Sequence, residues 1–325
     1  MLSASGIDFA ALPLARLRLR IRPRSTLKMP VFGRGAVLRG AFGLAFRRLV
    51  CHDLSLDCRA CPLRAGCPYP EVFDPAPPGD GNRLRTFTDI PRPFAFDPPL
   101  DTATTFQPSD TLSFGLTVIG RASRLSPYFV TAFRSLAEEG MGAGRSRFVL
   151  EEVGVLDKTG SIQSIYQGGE ANIRTTLPMV YCSDLVKQGD DQKHGLTLRF
   201  RTPTDLRDGG VSIRRPEFGP LVRRLRDRVA ALSAFFGDGP LSLGFRAVGD
   251  AADAVELVED RTRRVAVSRR SSLSGQRHDI GGFVGEAHYR GENIAALMPL
   301  IRLGEVVHVG KHAAFGNGSI EVSNG

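Results

Sequence analysis

The chain has 325 residues, 42% hydrophobic and 24% charged, which excludes a disordered or fibrous protein and leaves room for two domains of ordinary size. Its formal net charge is +9, and only five of the 43 basic residues are lysines, so arginine dominates. A planar guanidinium pairs bidentately with phosphate and stacks on bases, which favours a nucleic-acid partner; codon bias in a GC-rich genome is the competing source of the same imbalance.

Residues 14–22 alternate strictly, with Leu17, Leu19 and Ile21 on one face and Arg16, Arg18, Arg20 and Arg22 on the other, and predict a first strand. Its arginine face offers Arg16, Arg18 and Arg20 to nucleic-acid phosphates, or else is simply solvated. Gly35–Val50 carries Leu38, Phe42, Ala45, Phe46 and Leu49 at helical spacing. From 51 to 99 prolines recur too densely for regular elements, so this stretch is expected to be an insertion ordered by something other than a core. A strand over Thr111–Gly120 precedes a helix opened by Ser126-Pro127 and stopped at Gly140. The glycine-rich loop Gly140-Met-Gly-Ala-Gly-Arg-Ser-Arg-Phe148 then leads into a strand over Phe148–Leu156. Gly142, Gly144 and Arg145 are candidate phosphate contacts, because glycines let a backbone approach a phosphate and turn its amides outward.

Between Asp157 and His194 the sequence is polar with weak periodicity; a strand pair at most is expected, with a domain junction near its end. The plan then repeats. Leu196, Leu198 and Phe200 alternate as a strand, and Pro216–Phe236 carries an apolar stripe from Phe218 to Phe236 ended by Gly237. Strand-like segments at Leu243–Leu257, Val265–Ser268 and Gly281–Tyr289 precede a short helix at Asn293–Leu303, a glycine-rich loop at 304–318 and a last strand at Ser319–Val322. The order implies an α+β protein of two tandem ferredoxin-like (RRM-like) βαββαβ domains, over 1–190 and 191–325, with the insertion in the first.

No apolar run approaches the roughly 20 residues that span a bilayer, and the start lacks the pattern of a secretory signal, so a cytoplasmic protein with no membrane partner is expected. In a reducing compartment cysteines point to metal or free thiols. Cys51, Cys58, Cys61 and Cys67, spaced C-x6-C-x2-C-x5-C inside the insertion, are candidate ligands of a structural zinc, with an iron–sulfur cluster as the second metal reading and free thiols as the alternative. His52 and Asp53 are able to replace one thiolate, and Cys182 reads as an ordinary buried thiol.

The C-terminal run Leu303-Gly-Glu-Val-Val-His-Val-Gly-Lys-His-Ala-Ala-Phe-Gly-Asn-Gly-Ser-Ile320 resembles the signature glycine loop of the CRISPR-associated RAMP endoribonucleases. Thr202-Pro203, Pro216-Glu-Phe218 and Phe283-Val-Gly-Glu-Ala-His-Tyr-Arg-Gly291 are similar to that family's second domain. Leu38-Arg-Gly-Ala-Phe-Gly43, Gly120 with the Pro127-Tyr-Phe helix, and the Gly142/Gly144 loop are similar to the first domain of a cysteine-bearing branch. The likeness covers nearly the whole chain. It implies binding of CRISPR repeat RNA, as pre-crRNA and crRNA, and metal-independent cleavage to a 2′,3′-cyclic phosphate and a 5′-hydroxyl. The alternative is a RAMP subunit that holds guide RNA in a CRISPR effector complex and cuts nothing.

Such cleavage takes a proton from the 2′-hydroxyl, gives one to the 5′-oxygen and neutralises charge on the phosphorane. Histidine suits the proton transfers. The resemblance places the base in or just after the first helix, where only His52 stands; Arg39 in that helix is the candidate to stabilise the phosphorane if the enzyme uses arginine rather than histidine. In the last loop His308, Gly310, Lys311, Gly316 and Gly318 are the candidate RNA contacts, Lys311 through its charge and the glycines through their amides.

Overall fold

The structure is a computed structural model that describes residues 12–76, 90–185, 195–239, 241, 244–270 and 275–323. In the first half β1 (Pro13–Pro23) leads to α1 (Arg34–Val50), β2 (Phe94–Asp97), β3 (Leu112–Ile119), α2 (Ser126–Glu139), β4 (Phe148–Leu156) and β5 (Ile162–Gln167). The sheet is antiparallel in the order β2-β3-β1-β4-β5, with Val180–Tyr181 added beside the start of β1. Leu17, Leu19 and Ile21 of β1 are buried with the apolar faces of α1 and α2. Phe42 is the hub of that core: its ring stacks on Phe133 of α2 at 4.7 Å and meets Phe46, Phe94 and Phe96 edge-on.

In the second half β6 (Gly195–Thr204), α3 (Phe218–Phe236), α4 (Phe245–Asp253), β7 (Glu256–Val265), a hairpin of β8 (Ser268–Arg270) and β9 (Arg277–Asp279), β10 (Gly282–Arg290), α5 (Ile294–Val307) and β11 (Ile320–Ser323) follow. The main sheet order is β7-β10-β6-β11, which places the four strands of a βαββαβ unit where β2, β3, β1 and β4 stand in the first. The tandem ferredoxin-like architecture expected from the element order is therefore present. The expected junction at 190/191 lies outside the described residues.

Three expectations are corrected. The proline-dense stretch does not run to 99, because Phe94–Asp97 is a strand of the main sheet; its prolines flank an edge strand, where a missing N–H costs no ladder bond. The Leu243–Leu257 segment is not one strand: Phe245–Asp253 is helical, burying Val248, Ala251 and Ala252 at spacings of three and one. The last glycine loop begins at His308 rather than 304, since α5 continues to Val307 and buries Gly304 against Leu225 and Ile320.

The two halves share a core, in which Leu12, Leu14, Ile90 and Ile119 join the second half's apolar side chains, and they also meet through backbone. A Cβ on Gly35, in the first turn of α1, would overlap the carbonyl of Phe315 in the last loop, and one on Gly120 would overlap the carbonyl of Phe236 at the end of α3. Gly120 also has φ +63, which an L side chain rarely adopts. Gly40, five residues further along α1, has nothing within 4 Å of the corresponding position. Gly35→Ala is therefore expected to cost about 1–3 kcal/mol of stability by overpacking, whereas Gly40→Ala gains about 0.5–1 kcal/mol from helix propensity. Urea midpoints of the two variants, moving in opposite directions from the parent, are the check.

Candidate nucleic-acid interface

A cavity of about 630 Å³ opens where α1, the segment before β2, α3, β8 and the last glycine loop converge. Its charged lining residues are five cations, Arg39, Arg92, Arg228, Arg269 and Lys311, and one anion, Asp227. Asp227 is drawn towards its own helix by Arg226 at 2.7 Å. The Arg39 guanidinium lies 4.7 Å from the ring centroid of Phe315 and 5.4 Å from that of Phe73, and the Arg269 guanidinium lies 4.5 Å from Phe315. Phe315 thus carries two cations.

Among the described residues no carboxylate pairs with Arg39, Arg269 or Lys311, and the buried Arg39 Nε has no hydrogen-bond partner. Burial lowers the Arg39 pKa to about 10; nearby Tyr69 opposes this shift, and Arg269 and Arg92 add to it. Burial also lowers Arg269. Arg39 remains cationic at neutral pH. Two half-buried guanidinium groups sharing one ring, with no carboxylate paired to either among the described residues, form a site whose chemistry suits an anion able to accept charge-assisted hydrogen bonds.

The last loop holds its shape through internal bonds. The amide of Lys311 donates to Asp205 O, that of Gly316 to Ala313 O and that of Gly318 to Pro203 O. The amides of Gly316 and Gly318 are thus taken, which corrects the expectation that they face phosphate. These glycines serve backbone packing at positive φ: a Cβ on Gly318 would overlap Val309 O, and one on Gly316 would crowd Phe96 O and Pro98. His308 is also corrected as an RNA contact. It is only 2% exposed, and because its partner Asn317 O is a carbonyl, Nδ1 donates that 3.1 Å bond. Gly310 and the exposed Lys311 do line the cavity, as Arg39 does.

The other expected residues stand elsewhere. On the face of β1, Arg20 pairs with Glu151 and Glu152 at 3.3 and 3.2 Å, so its charge is already met within the sheet. Burial lowers the half-buried Arg16, with Asp97 opposing. Arg18 lies between them with no ion pair among the described residues. Gly142 packs its backbone on Lys28, while Gly144 and Arg145 form an exposed turn with Arg145 at φ 50. None of these residues lines the arginine cavity.

His52 is exposed and lines a different cavity, of about 450 Å³, together with Cys51, Cys58, Cys61 and Cys67; it shares no lining residue with the arginine cavity. His52 and Arg39, the two catalytic candidates, therefore stand in different cavities. The four thiols are free and share one cavity, yet among the described residues no group of three or more His, Cys, Asp or Glu side chains stands close enough to hold a metal ion. Two arginines order the segment instead: Arg47 donates to Leu54 O and Leu56 O, and Arg64 to Cys58 O and Asp74 O. The side chain of Cys182 lies outside the described residues.

Five residues of the cavity that bear charge or a ring went unassigned in the sequence: Arg92, Arg228, Arg269, His312 and Phe315. The available signals were slight, an arginine between prolines, an Arg-Arg pair after a strand and a single aromatic in a glycine loop.

Two halves of one ferredoxin-like plan, closed by a glycine loop over a basic cavity, define a tandem-domain RAMP protein. Family models agree along the chain: the AF_1859_N N-terminal domain matches residues 12–177 and the CRISPR-associated endoribonuclease Cas6 matches residues 198–320. The chain belongs to the RAMP-type CRISPR-associated endoribonucleases that process precursor crRNA. A Cas6 product complex superposes with TM-score 0.57 at 19% identity, covering 97% of this chain and 100% of that one. Thermus thermophilus Cas6 does so with TM-score 0.54 at 16% identity, covering 97% and 100%. A partial Cas6-RT-Cas1–Cas2 complex gives 0.60 at 10% identity, covering 97% of this chain and 47% of that one. At these identities the likeness is one of fold. No curated protein matches the chain in sequence. Among the described residues no helix is long and apolar enough to cross a membrane.

Burial of His308 has a consequence for acid stability. Desolvation lowers its pKa from 6.5 to about 4, against the pull of Asp97. The unfolded chain then binds a proton between these values that the fold does not, so stability is full above about pH 6.5 and falls as pH drops towards 4. His308→Asn, which removes the titrating ring, is expected to flatten that slope in urea titrations between pH 7 and 5.

Proposed function

We propose that this endoribonuclease cuts CRISPR repeat RNA without a metal ion, by attack of the 2′-hydroxyl on the adjacent phosphate held against Arg39, Arg269 and Lys311. The observation that carries this reading is the pair of guanidinium groups on Phe315, with which no carboxylate among the described residues forms an ion pair. Charge fixed in a half-buried site before the reaction stabilises the extra negative charge of a phosphorane without reorganisation. The 2′-hydroxyl is the nucleophile, so RNA is the substrate and DNA is not. The products are a 2′,3′-cyclic phosphate and a 5′-hydroxyl. Cas6 proteins of the same fold, one in a product complex and one assembled with Cas1 and Cas2, support CRISPR RNA as ligand and a larger CRISPR assembly as partner.

The cysteine insertion carries no step of this reaction. A structural zinc on Cys51, Cys58, Cys61 and Cys67 is proposed on the strength of their shared cavity, and binding it requires the thiols to draw together from their described positions. Metal analysis of purified protein decides: zinc released by a thiol reagent is the expected result, visible absorbance would identify an iron–sulfur cluster, and metal-free protein would end the assignment.

Incubation of the protein with labelled repeat RNA tests the main reading. Cleavage at one site is expected to survive EDTA and to vanish when the nucleotide before the cut is 2′-deoxy. Arg39→Ala is expected to slow cleavage by about 10²–10³-fold and to leave the fold intact. Tight binding without cleavage by the parent protein would instead mark a scaffold for guide RNA.

A further inference from the structure

We propose that His312 is the base of the cleavage reaction, its imidazole taking the 2′-hydroxyl proton of an RNA whose scissile phosphate lies against Arg39 and Arg269. The proposal rests on the cleavage reading above and adds the residue that moves the proton. Of the histidines within the described residues, only His312 lines the arginine cavity. His52 is exposed beside the cysteines, His278 is exposed on the β9 hairpin, His288 is hydrogen-bonded to Thr197 Oγ1 at 2.8 Å, and His308 is buried.

The position of His312 is built rather than incidental. Its backbone is left-handed at φ 64, and its carbonyl accepts the amides of Phe315 at 2.8 Å and Asn317 at 3.4 Å, which fixes the turn. Its ring meets the Phe315 ring edge-on, with centroids 6.0 Å apart. The same Phe315 ring carries the guanidinium groups of Arg39 and Arg269 at 4.7 and 4.5 Å. One aromatic platform therefore sets an imidazole beside two phosphate-binding cations, the juxtaposition that in-line attack of a neighbouring 2′-oxygen needs. Neither ring nitrogen has a hydrogen-bond partner among the described residues, so a lone pair is available to substrate.

The surroundings favour the neutral ring. Burial lowers the His312 pKa most, Lys311 in its own loop lowers it further, and so do Arg269 from the β8 hairpin and Arg207 after β6, against a single opposing carboxylate, Asp205. An imidazole below its ordinary value is unprotonated, and hence basic, at neutral pH. In the step itself the O2′–H bond breaks to His312, the 2′-oxygen bonds phosphorus, and the P–O5′ bond breaks. The leaving 5′-oxygen takes a proton from water, and the imidazolium returns its proton to solvent, so the turnover is balanced.

The test compares the parent, His312→Asn and His52→Ala on labelled repeat RNA, with binding measured separately on a 2′-deoxy substrate. Asparagine is chosen because it accepts a left-handed backbone. The expected result is that His312→Asn binds within about threefold of the parent but cleaves about 10²–10⁴-fold more slowly. Added imidazole should restore part of the rate. The parent rate should rise with pH through an ionisation below the ordinary histidine value and then level, an inflection the variant lacks. Cleavage by His312→Asn at near-parent rate, or a loss that follows His52→Ala and spares His312→Asn, overturns the assignment while leaving the cleavage reading in place. A parent protein that binds and never cuts overturns both.

Discussion

The contact between Gly35 and the carbonyl of Phe315 is the constraint from which the site follows. Only a glycine lets the first turn of α1 lie directly on the backbone of the last loop. With that approach made, Arg39, one helical turn further on, reaches over the Phe315 ring from one half of the chain, and Arg269 reaches the same ring from the other. Gly120 against Phe236 is a second point of backbone contact, so two short approaches locate the halves together with Leu12, Leu14, Ile90 and Ile119 of the first half, which are buried in the core of the second. Residues far apart in sequence are thereby set within a few ångströms.

This arrangement stores electrostatic cost where the ligand is to bind. A half-buried guanidinium with an unpartnered Nε and another cation nearby is less favourable than the surface pairs that satisfy Arg20, Arg22 and Arg24 elsewhere in the molecule. Cation–π contact with Phe73 and Phe315 offsets part of it, each such contact being worth on the order of 1 kcal/mol and more when desolvated. The contrast with the comb of arginines on β1 is instructive. Alternation made that comb the most visible basic feature of the sequence, yet Arg20 is neutralised across the sheet by Glu151 and Glu152, while the isolated Arg39 and Arg269 keep their charge.

Periodicity made most of the fold legible. β1, α1, α2, β4 and α3 fall where alternation, the apolar stripes and the Ser126-Pro127 and Gly140 signals place them, because each buries one face on its own half. Phe94–Asp97 was hidden by its flanking prolines, and α4 by its shortness. The site was far less legible, and for a physical reason. Linear spacing reports which face of an element is buried, but it is silent on which loop of one domain meets which helix of the other. Arg39 and Lys311 were found from motif and charge; Arg269 and Phe315 acquire meaning only through a contact between segments more than 200 residues from α1.

The glycine loop is where these threads join, since its glycines do a different task from the one their composition suggests. A glycine-rich loop beside basic residues invites the reading that amides cradle phosphate, yet the amides of Gly316 and Gly318 are bonded to Ala313 and Pro203 within the protein. Their positive φ values fold the loop tightly enough to bury His308 and Asn317 beneath it while turning Lys311 and His312 towards the cavity. The loop therefore presents side chains and not backbone. Since its Phe315 is at once the residue α1 packs upon and the platform for the cations, docking of the two halves and assembly of the phosphate site are one event. A chain whose halves folded correctly but failed to meet would hold every residue named here and none of the site.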